Sequence, residues 1–369
     1  MHATLAPATT PAAPNASGRP LRFLALADGS FGPMSSKTAN AALRYTPERV
    51  AAVLDASRAG QTAAAVLGFG GDVPVVATLD EGRARGATAV LVGIAPAGCR
   101  LPDEWRTLIA RAAQAGLDVW SGLHTYLADD ALIADAARAG GARIVDLRRP
   151  PADLTVSTGR ARDVDATVVL TVGSDCNIGK MTTQLQLRDA MRARGVRVAF
   201  AATGQTGILV EGRGIAVDAV VADFIAGAAE RLVLEAAPHG DVVLVEGQGS
   251  IIHPSYSGVT YGLLHGSLPH AMVLCHQPSR RTINNHPWVP LPPLPELVRM
   301  HEAAAAPLRP APVIALALNT VDLDEIRAHE AIERAAAETG LPATDPVRFD
   351  PGPLVDAILR FDGARGRAG

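Results

Sequence analysis

The sequence predicts an α/β fold with two parallel-sheet domains, a Rossmann-like N-terminal domain at residues 20–150 and a P-loop NTPase-like C-terminal domain at residues 151–369. Short apolar segments alternate with Ala-rich helical segments along both halves, which is typical of βαβ units. A glycine-containing loop with a lysine follows one apolar segment at Gly173–Thr183, which is typical of a phosphate-binding P-loop. The length of 369 residues also fits two domains of common size.

The N-terminal half shows the alternation first. Residues 1–19 are rich in Ala, Pro and Thr and lack the basic start and apolar core of a signal peptide, so we expect a flexible tail. Apolar segments that end at turn residues then predict strands at Leu21–Ala27, Ala63–Phe69, Ala89–Ile94, Asp118–Ser121 and Arg143–Asp146. Helix-period segments closed by glycine predict helices at Pro47–Ala59, Pro102–Ala115 and Asp130–Ala139.

The C-terminal half repeats the pattern after the interruption at Arg149-Pro150-Pro151, where we place the domain boundary. A Pro-rich stretch at Pro287–Pro295 is expected to be a loop because an apolar strand follows it. The helices are predicted at Gly179–Arg194 and Asp218–Ala236, and the strands at Ala166–Val172, Arg197–Ala202, Asp241–Glu246, Ala271–Cys275 and Pro312–Leu318.

The loop after Ala166–Val172 has the order that phosphate binding requires, because glycines let backbone N–H groups and a helix N-terminus point at phosphate oxygens while Lys180 adds a positive charge. The alternative is a plain glycine turn with a surface lysine. The predicted cofactor-binding residues are Gly173, Ser174, Cys176, Asn177, Ile178, Gly179, Lys180, Met181, Thr182 and Thr183.

The loop departs from the standard pattern in two ways. It has one extra residue between its glycines, and Met181 replaces the Ser or Thr that would hold Mg²⁺. Thr182 is the next hydroxyl, but a shift of one residue along a helix turns it to another direction. We therefore expect phosphate binding, and we expect no resident metal ion.

Three residues are candidates for proton transfer. Glu246 ends a predicted strand beside glycines, at the sheet edge where ligands of open α/β sheets bind, although it could instead cap a turn. Asp175 lies in the phosphate loop and serves either as a base or as a brace for the loop. His253 follows the Glu246 turn and is either a proton carrier or a loop residue with a backbone partner.

An anionic substrate would require fixed cations, which suggests Arg213, Arg280 and Arg281, although each could be a solvated surface arginine. Ser255 and Tyr256, in the loop that carries His253, complete the predicted substrate-binding set. We expect the substrate to be a small molecule and the protein to form a homo-oligomer.

Composition argues against several classes of protein. The formal net charge of -3 gives no basic excess for nucleic acid, and the longest apolar runs have the length of strands, so neither a nucleic-acid partner nor a membrane span is expected. Cys99, Cys176 and Cys275 form no CxxC pair, and the histidines do not fall at metal-ligand spacing. These features fit a protein of the reducing cytoplasm.

Several segments together resemble the DUF1611 family, a P-loop type D-glutamate N-acetyltransferase family. The C-terminal half contributes Gly173–Thr183, Ala202–Gly214, Val217–Glu230, Val243–Gly258 and Val273–Arg280. The N-terminal half contributes Gly93–Gly98, Pro102–Arg106, Gly116–Asp118, Ser121–His124 and Asp146–Arg148, with Cys99 where the family's turn suggests a second glycine. The resemblance covers nearly the whole chain from about residue 20.

The resemblance implies acetyl transfer from acetyl-CoA to the amine of D-glutamate or a related D-amino acid, with the phosphates of CoA held by the P-loop. Direct transfer is favoured over an acetyl-Cys176 intermediate. The P-loop and the strand ending at Glu246 are also similar to dethiobiotin synthetase, so an ATP- and Mg-dependent ligase or kinase is the alternative. A non-catalytic protein that binds nucleotide or CoA is a third reading.

Overall fold

The structure, a computed structural model, describes residues 15–33, 35–94 and 101–365. The chain divides into two compact units. The first contains the chain up to Arg149 together with Gln205–Ala219, and the second contains Pro150–Gly204 and the chain from Val220. Cys99 and most of the Gly93–Gly98 segment lie outside the described residues.

The first unit is built on a six-stranded parallel sheet in the order β3-β2-β1-β4-β5-β6. Its core is formed by the strands and the apolar faces of the helices against them, as in a doubly wound α/β domain. The strands are β1 Phe23–Leu26, β2 Val50–Leu54, β3 Val75–Val76, β4 Ala89–Val92, β5 Asp118–Ser121 and β6 Ile144–Asp146, and the helices are α1 Lys37–Tyr45, α2 Ala63–Leu67, α3 Leu79–Ala84, α4 Asp103–Gln114 and α5 Ala131–Gly140.

Two elements of this unit differ from the prediction. The segment Ala63–Phe69, predicted as a strand, forms helix α2, because Thr62 Oγ1 caps it by accepting from Ala65 N at 3.2 Å and Gly68 ends it with a φ of 79°. The segment Pro47–Ala59, predicted as a helix, contains strand β2 between two short 3-10 turns. All residues of β2 are buried, as an inner strand of a parallel sheet requires.

The second unit has a six-stranded parallel sheet in the order β14-β13-β10-β7-β9-β8 and a small antiparallel hairpin, β11–β12. The hairpin corrects the prediction of a loop at Pro287–Pro295. In the described part of the chain, no helix is both long enough and apolar enough to cross a membrane. The strands are β7 Thr167–Gly173, β8 Val198–Ala201, β9 Val242–Val245, β10 Ala271–His276, β11 Thr282–Ile283, β12 His286–Pro290, β13 Val313–Leu318 and β14 Ala343–Thr344, and the helices are α6 Lys180–Ala193, α8 Ala222–Ala236, α9 Ser257–Ser267, α10 Leu294–Ala305, α11 Glu325–Thr339 and α12 Gly352–Arg365. Helix α7, Gln205–Glu211, belongs to the first unit.

The predicted fold class is confirmed, and the sheet order determines where a site can form. Strand β7 lies between β10 and β9, with Cys275 beside Gly173 on one side and Val245 beside Leu170 on the other. All three strands run in the same direction, so the segments that follow them meet at one edge of the sheet. That edge carries the phosphate loop after β7 and Glu246 after β9.

Residues 205–219 were assigned to the C-terminal domain from sequence, but they pack in the first unit. Asp218 forms an ion pair with Arg148, whose Nε donates to the backbone oxygen of Gly122 at 2.8 Å. Arg49 Nη1 donates to the backbone oxygen of Val210 at 3.4 Å. Asp218 therefore pairs with an arginine, and the helix predicted at Asp218–Ala236 begins instead at Ala222, as α8.

Glu230 on α8 fixes the segment that leads into β7. Its carboxylate accepts from Ser157 Oγ at 2.5 Å, from Thr158 N and Oγ1 at 2.8 and 2.7 Å, and from Gly159 N at 2.6 Å. Burial alone would raise the pKa of Glu230, but these hydrogen bonds outweigh it and lower the pKa from 4.5 to about 2. The ionised carboxylate therefore stabilises the fold.

We expect Glu230→Gln to lower the free energy of unfolding at pH 7 by about 1–3 kcal/mol, because an acceptor of several bonds is replaced by a group that also donates. Since the folded pKa lies below the unfolded one, the stabilisation is complete above about pH 4.5 and is lost as the pH falls towards 2. Urea unfolding of both proteins across this range should show the difference shrinking. A constant difference from pH 7 to 2 would contradict the prediction.

Candidate functional site

The phosphate loop between β7 and α6 has the backbone shape that its glycines predict. Asn177 and Gly179 have φ values of 53° and 102°, in the left-handed region, so the chain curls before α6. A Cβ at Gly173 would lie 2.8 Å from Ile178 Cδ1 and 3.2 Å from Lys180 Nζ. No side chain caps the N-terminus of α6, which leaves its first N–H groups available for an anion.

Lys180 supplies the positive charge at this helix terminus. Its side chain is buried, and its Nζ donates to the backbone oxygen of Asp175 at 2.6 Å, which draws the ammonium group across the loop. Burial lowers the pKa of Lys180 below its usual value. Lys37 is the only other lysine in the sequence, and all the remaining basic side chains of the Lys/Arg type are arginine. A lysine in the phosphate loop is therefore not explained by a high lysine content of the chain.

Asp175 is fully buried, and both of its carboxylate oxygens have partners. Oδ1 accepts from Cys176 N at 2.6 Å, and Oδ2 accepts from Arg280 Nη1 at 2.5 Å and from Asn284 N at 2.8 Å. Arg280 Nη1 also donates to the Cys176 backbone oxygen at 2.7 Å. Of the two roles open from sequence, this geometry favours the brace, because both carboxylate oxygens already accept hydrogen bonds from the loop backbone, the hairpin backbone or Arg280.

The hydroxyl groups of the loop point to interior partners. Ser174 Oγ lies 3.0 Å from His276 Nδ1, and Thr183 Oγ1 lies 3.6 Å from Cys275 Sγ. Thr182, one residue further along the loop than the standard metal hydroxyl, is partly exposed, as is Met181. Burial lowers the pKa of His276 to about 4, so this ring is neutral at pH 7.

Cys176 does not have the environment of a reactive thiol. A helix N-terminus normally lowers a thiol pKa, but burial raises the pKa of Cys176 above its usual value. The thiolate that an acetyl-cysteine intermediate needs is therefore disfavoured. The neighbouring residues differ in exposure, since Asn177 faces solvent and Ile178 is anchored in the core.

Glu246 lies at the carboxyl end of β9. It is buried, and its Oε2 accepts from the backbone N–H groups of Thr203 at 2.9 Å and Gly204 at 3.1 Å. A Cβ at Gly204 would lie 3.1 Å from Glu246 Oε1, so glycine keeps the space beside that oxygen open. Thr203 and Gly204 follow β8, so Glu246 connects the carboxyl ends of β8 and β9.

His253 has a defined tautomer. Its Nδ1 accepts from the backbone N–H of Ser255 at 3.1 Å, so the neutral ring carries its proton on Nε2. That nitrogen lies 3.9 Å from Asp175 Oδ1, and burial lowers the pKa of His253 below its usual value. In this arrangement Nε2 of His253 is a hydrogen-bond donor. The proton-carrier role expected from sequence would require the other tautomer or the protonated ring when His253 accepts a proton at Nε2.

The nearest approach to a metal site in the described residues is the group Asp175, Cys176 and His253, whose ligand atoms lie within 4.8 Å of one another. Its chemistry does not suit a cation. His253 Nε2 carries a proton, the Cys176 thiol is protonated at neutral pH, and Arg280 already neutralises Asp175.

The residues predicted to bind substrate differ in their surroundings. Arg280 is engaged with Asp175, whereas the Arg281 side chain is exposed. Ser255 is exposed and Tyr256 is 51% exposed, and both belong to the His253 loop. Arg213 is exposed and belongs to the first unit.

The structure adds site residues that the sequence analysis did not select. Asn284 N ties the β11–β12 hairpin to Asp175 of the phosphate loop, and His286 and Trp288 lie on that hairpin. Arg280, which the sequence predicts as a substrate contact, also binds Asp175. Thr203 holds Glu246 from the end of β8. The signal in the sequence for this hairpin was Trp288 itself, because a tryptophan in a Pro-rich segment is unusual in a chain with 4% aromatic residues.

Comparisons with known proteins agree with both units. Residues 155–355 match the family described as "Domain of unknown function (DUF1611_C) P-loop domain", and residues 56–150 match "Domain of unknown function (DUF1611_N) Rossmann-like domain". A crystal structure of a DUF1611 family protein from Anabaena variabilis superposes with a TM-score of 0.87 at 41% identity, and the alignment covers 92% of this chain and 99% of that one.

Two curated relatives are named D-glutamate N-acetyltransferase. The protein from Tritonibacter scottomollicae is 40% identical over 287 residues, which are 76% of this chain and 84% of the relative. The protein from a Pseudoalteromonas species is 36% identical over 270 residues, which are 73% of this chain and 80% of the relative. With both domains matched across most of its length, the chain belongs to the DUF1611 family.

Proposed function

We propose that the protein is an N-acetyltransferase that moves an acetyl group from acetyl-CoA to the α-amine of a D-amino acid, with D-glutamate as the preferred acceptor. The names of the two curated relatives support the reaction class. The observation that carries the cofactor assignment is the curled loop at the N-terminus of α6 with the buried Lys180, which suits the phosphates of CoA.

The arrangement of hydroxyl groups favours CoA over a metal-bound nucleotide. Met181 follows Lys180, and the Ser174 and Thr183 hydroxyls lie against His276 and Cys275. Such a loop can hold phosphates through N–H groups and the ammonium group alone. Acetyl transfer needs no metal ion, because the thioester is already activated for attack by an amine.

The chemistry requires an amine without its extra proton and a donor near the thioester oxygen. In the proposed reaction a C–N bond forms, the C–S bond breaks, and the thiol leaves with a proton. Glu246 is the proposed acceptor of the ammonium proton, as its buried carboxylate stands at the sheet edge that carries the loop. Arg281 and Tyr256, both exposed near this edge, are proposed contacts for the acceptor's carboxylates.

The test is thiol release from acetyl-CoA, measured with D-glutamate, L-glutamate and other D-amino acids, with and without EDTA. We expect release that depends on D-glutamate and is insensitive to EDTA. A parallel assay supplies ATP and Mg²⁺ and measures ADP. Release of ADP without thiol release would overturn the proposal in favour of a P-loop ligase or kinase, for which Glu246 would be the metal-site carboxylate.

The expected homo-oligomer stays a prediction. Sedimentation of the purified protein at several concentrations would test it.

A further inference from the structure

Four side chains with aromatic rings follow one another outward from the phosphate loop, and we call them the ring cluster: His253, Tyr256, His286 and Trp288. The His253 ring centroid is 4.6 Å from that of Tyr256 and 5.0 Å from that of His286. The His286 centroid is 6.2 Å from that of Trp288. The His253–His286 and His286–Trp288 ring planes are inclined by 74° and 72°, so these rings pack edge to face and form a connected series.

The ring cluster is joined to the phosphate loop at Asp175. His253 Nε2 lies 3.9 Å from Asp175 Oδ1, and the β11–β12 hairpin that carries His286 and Trp288 is held to the same carboxylate by Asn284 N at 2.8 Å. The cluster therefore begins at the phosphate loop and extends away from it through contacts of 5.0 and 6.2 Å between ring centroids. A ligand whose phosphates bind to the loop could therefore contact these rings with the part of the molecule attached to the phosphates.

The outer rings face solvent. Trp288 is 72% exposed and Tyr256 is 51% exposed, whereas Trp105 in the first unit is 7% exposed. In a chain with so few aromatic residues, an exposed indole linked to a phosphate loop through His286 and His253 points to a ligand with a flat face, because aromatic side chains bind bases by stacking.

We propose that the outer end of the ring cluster, formed by Trp288 and His286, is the subsite for the purine base of the phosphate-bearing ligand. The inference rests on the proposed function only in taking that ligand to be an adenine nucleotide derivative such as CoA. The phosphates lie on the loop, and the adenine ring stacks on the indole of Trp288 with the His286 ring at its edge. This subsite adds affinity that the phosphate loop alone cannot provide, and it selects ligands that carry a base.

The test compares two probes that each carry two phosphate groups, of which only the first carries a base: 3′,5′-ADP, with separate phosphates on its ribose, and inorganic pyrophosphate, with joined phosphates. Binding to the native full-length protein is measured by calorimetry and by tryptophan fluorescence. The variant is Trp288→Leu, which removes an exposed ring and keeps an apolar side chain. The matched control is Tyr261→Leu, because Tyr261 is also exposed, at 39%, and lies outside the ring cluster.

We expect 3′,5′-ADP to quench the fluorescence of the native protein and to bind roughly tenfold more tightly than it does to Trp288→Leu. Pyrophosphate affinity should be equal in both, and Tyr261→Leu should match the native protein with both probes. Equal affinity of native protein and Trp288→Leu for 3′,5′-ADP would overturn the proposal. Loss of the purine preference in Asn319→Ala, and not in Trp288→Leu, would also overturn the proposal. Asn319 Nδ2 lies 4.0 Å from the position that a Cβ of Gly179 would occupy, and Asn319 is not part of the ring cluster.

Other outcomes separate this inference from the proposed function. Purine binding that depends on Trp288, without any acetyl transfer, would contradict the acetyltransferase and leave the subsite standing. If Trp288→Leu forms a smaller assembly in solution than the native protein and binds the nucleotide with unchanged affinity, the ring cluster is a contact between copies of the chain. That result would overturn the proposal. If neither probe binds, the phosphate site and the ring subsite both fail.

Discussion

Replacing Asp175 with asparagine is expected to weaken CoA binding and to reduce acetyl transfer by at least about a hundredfold. The carboxylate is fully buried and holds Cys176 N with one oxygen and Arg280 and Asn284 N with the other. The asparagine side chain keeps one acceptor oxygen but replaces the other with an NH₂ group, which then faces one of the N–H donors that Asp175 binds. The Arg280 charge loses its partner, and the loop loses its tie to the β11–β12 hairpin.

The measurement that matters is the split between affinity and turnover. If Asp175 is a brace, Asp175→Asn raises the Kd for CoA along with its effect on kcat, because the backbone N–H groups of the loop lose their alignment. If it is the catalytic base, kcat falls while the Kd stays at the native value. An unchanged Kd for CoA would therefore contradict the bracing role that the geometry favours.

Asp322→Asn is the matched control for this variant. Asp322 accepts from Gln277 Nε2 at 3.1 Å and from Ser279 Oγ, so it holds the same connection between β10 and β11 but lies exposed and away from the loop backbone. We expect this variant to retain native affinity and activity, because exposed polar contacts contribute little to stability. A similar loss in both variants would mean that the connection as a whole, and not Asp175, sets the loop.

The parts of the site that sequence reasoning located are those encoded within a few residues. Gly173 to Lys180 form one local unit, in which glycines, a lysine and a following helix are all visible in the sequence. Glu246 was found for the same reason, as an acidic residue that ends an apolar strand. Parallel strands bring such strand ends to one edge, so the meeting of these residues at that edge could be predicted, whereas the order of the strands could not.

The parts that sequence reasoning missed depend on contacts between distant residues. Arg280 and Asn284 reach Asp175 across more than a hundred residues, and nothing near Asp175 indicates that its carboxylate is already satisfied. The tautomer of His253 depends on a backbone N–H two residues away whose direction is set by the folded loop. Arg280 therefore has a structural partner that its sequence neighbours do not reveal, and its role as a substrate contact stays a prediction.

The errors in secondary structure have a similar cause. Ala63–Leu67 is short and apolar, and such a run fits a strand or a helix until its cap is considered. Val50–Leu54 lies within a stretch that has helical spacing, but its burial on both faces in the sheet decides the outcome. Residues 205–219 carry no local mark of the unit they join, because the Arg148–Asp218 pair forms only in the fold.

Replacing Lys180 with methionine is expected to weaken CoA binding by roughly a hundredfold, because the variant removes a charge-assisted hydrogen bond to phosphate while keeping most of the side-chain volume. Thiol release should fall in parallel at CoA concentrations below the new Kd. Lys180→Arg should not restore binding, since Gly173 leaves only a narrow space beside the ammonium group and a guanidinium is wider. Native affinity in Lys180→Met would place the cofactor elsewhere.

The pH dependence of binding gives a separate test of the same group. Burial lowers the pKa of Lys180 in the free protein, and a bound phosphate should raise it again by charge attraction. The sign follows directly: affinity is full below the pKa of the free protein and falls by up to about tenfold per pH unit above it, until the pKa of the complex is reached. At a pH between the Lys180 pKa of the free protein and that of the complex, binding is accompanied by uptake of a proton.

Selective labelling of lysine at Cε makes this measurable in the intact protein, because Lys37 and Lys180 are its lysines and Lys37 is exposed. The NMR signal that disappears in Lys180→Met identifies Lys180, and its titration with and without CoA gives both pKa values. We expect the CoA-dependent shift at Lys180 and an unchanged Lys37 signal. If the affinity of Lys180→Met kept the same alkaline decline as the native protein, the titrating group would be another residue, and the buried ammonium would not be the phosphate ligand.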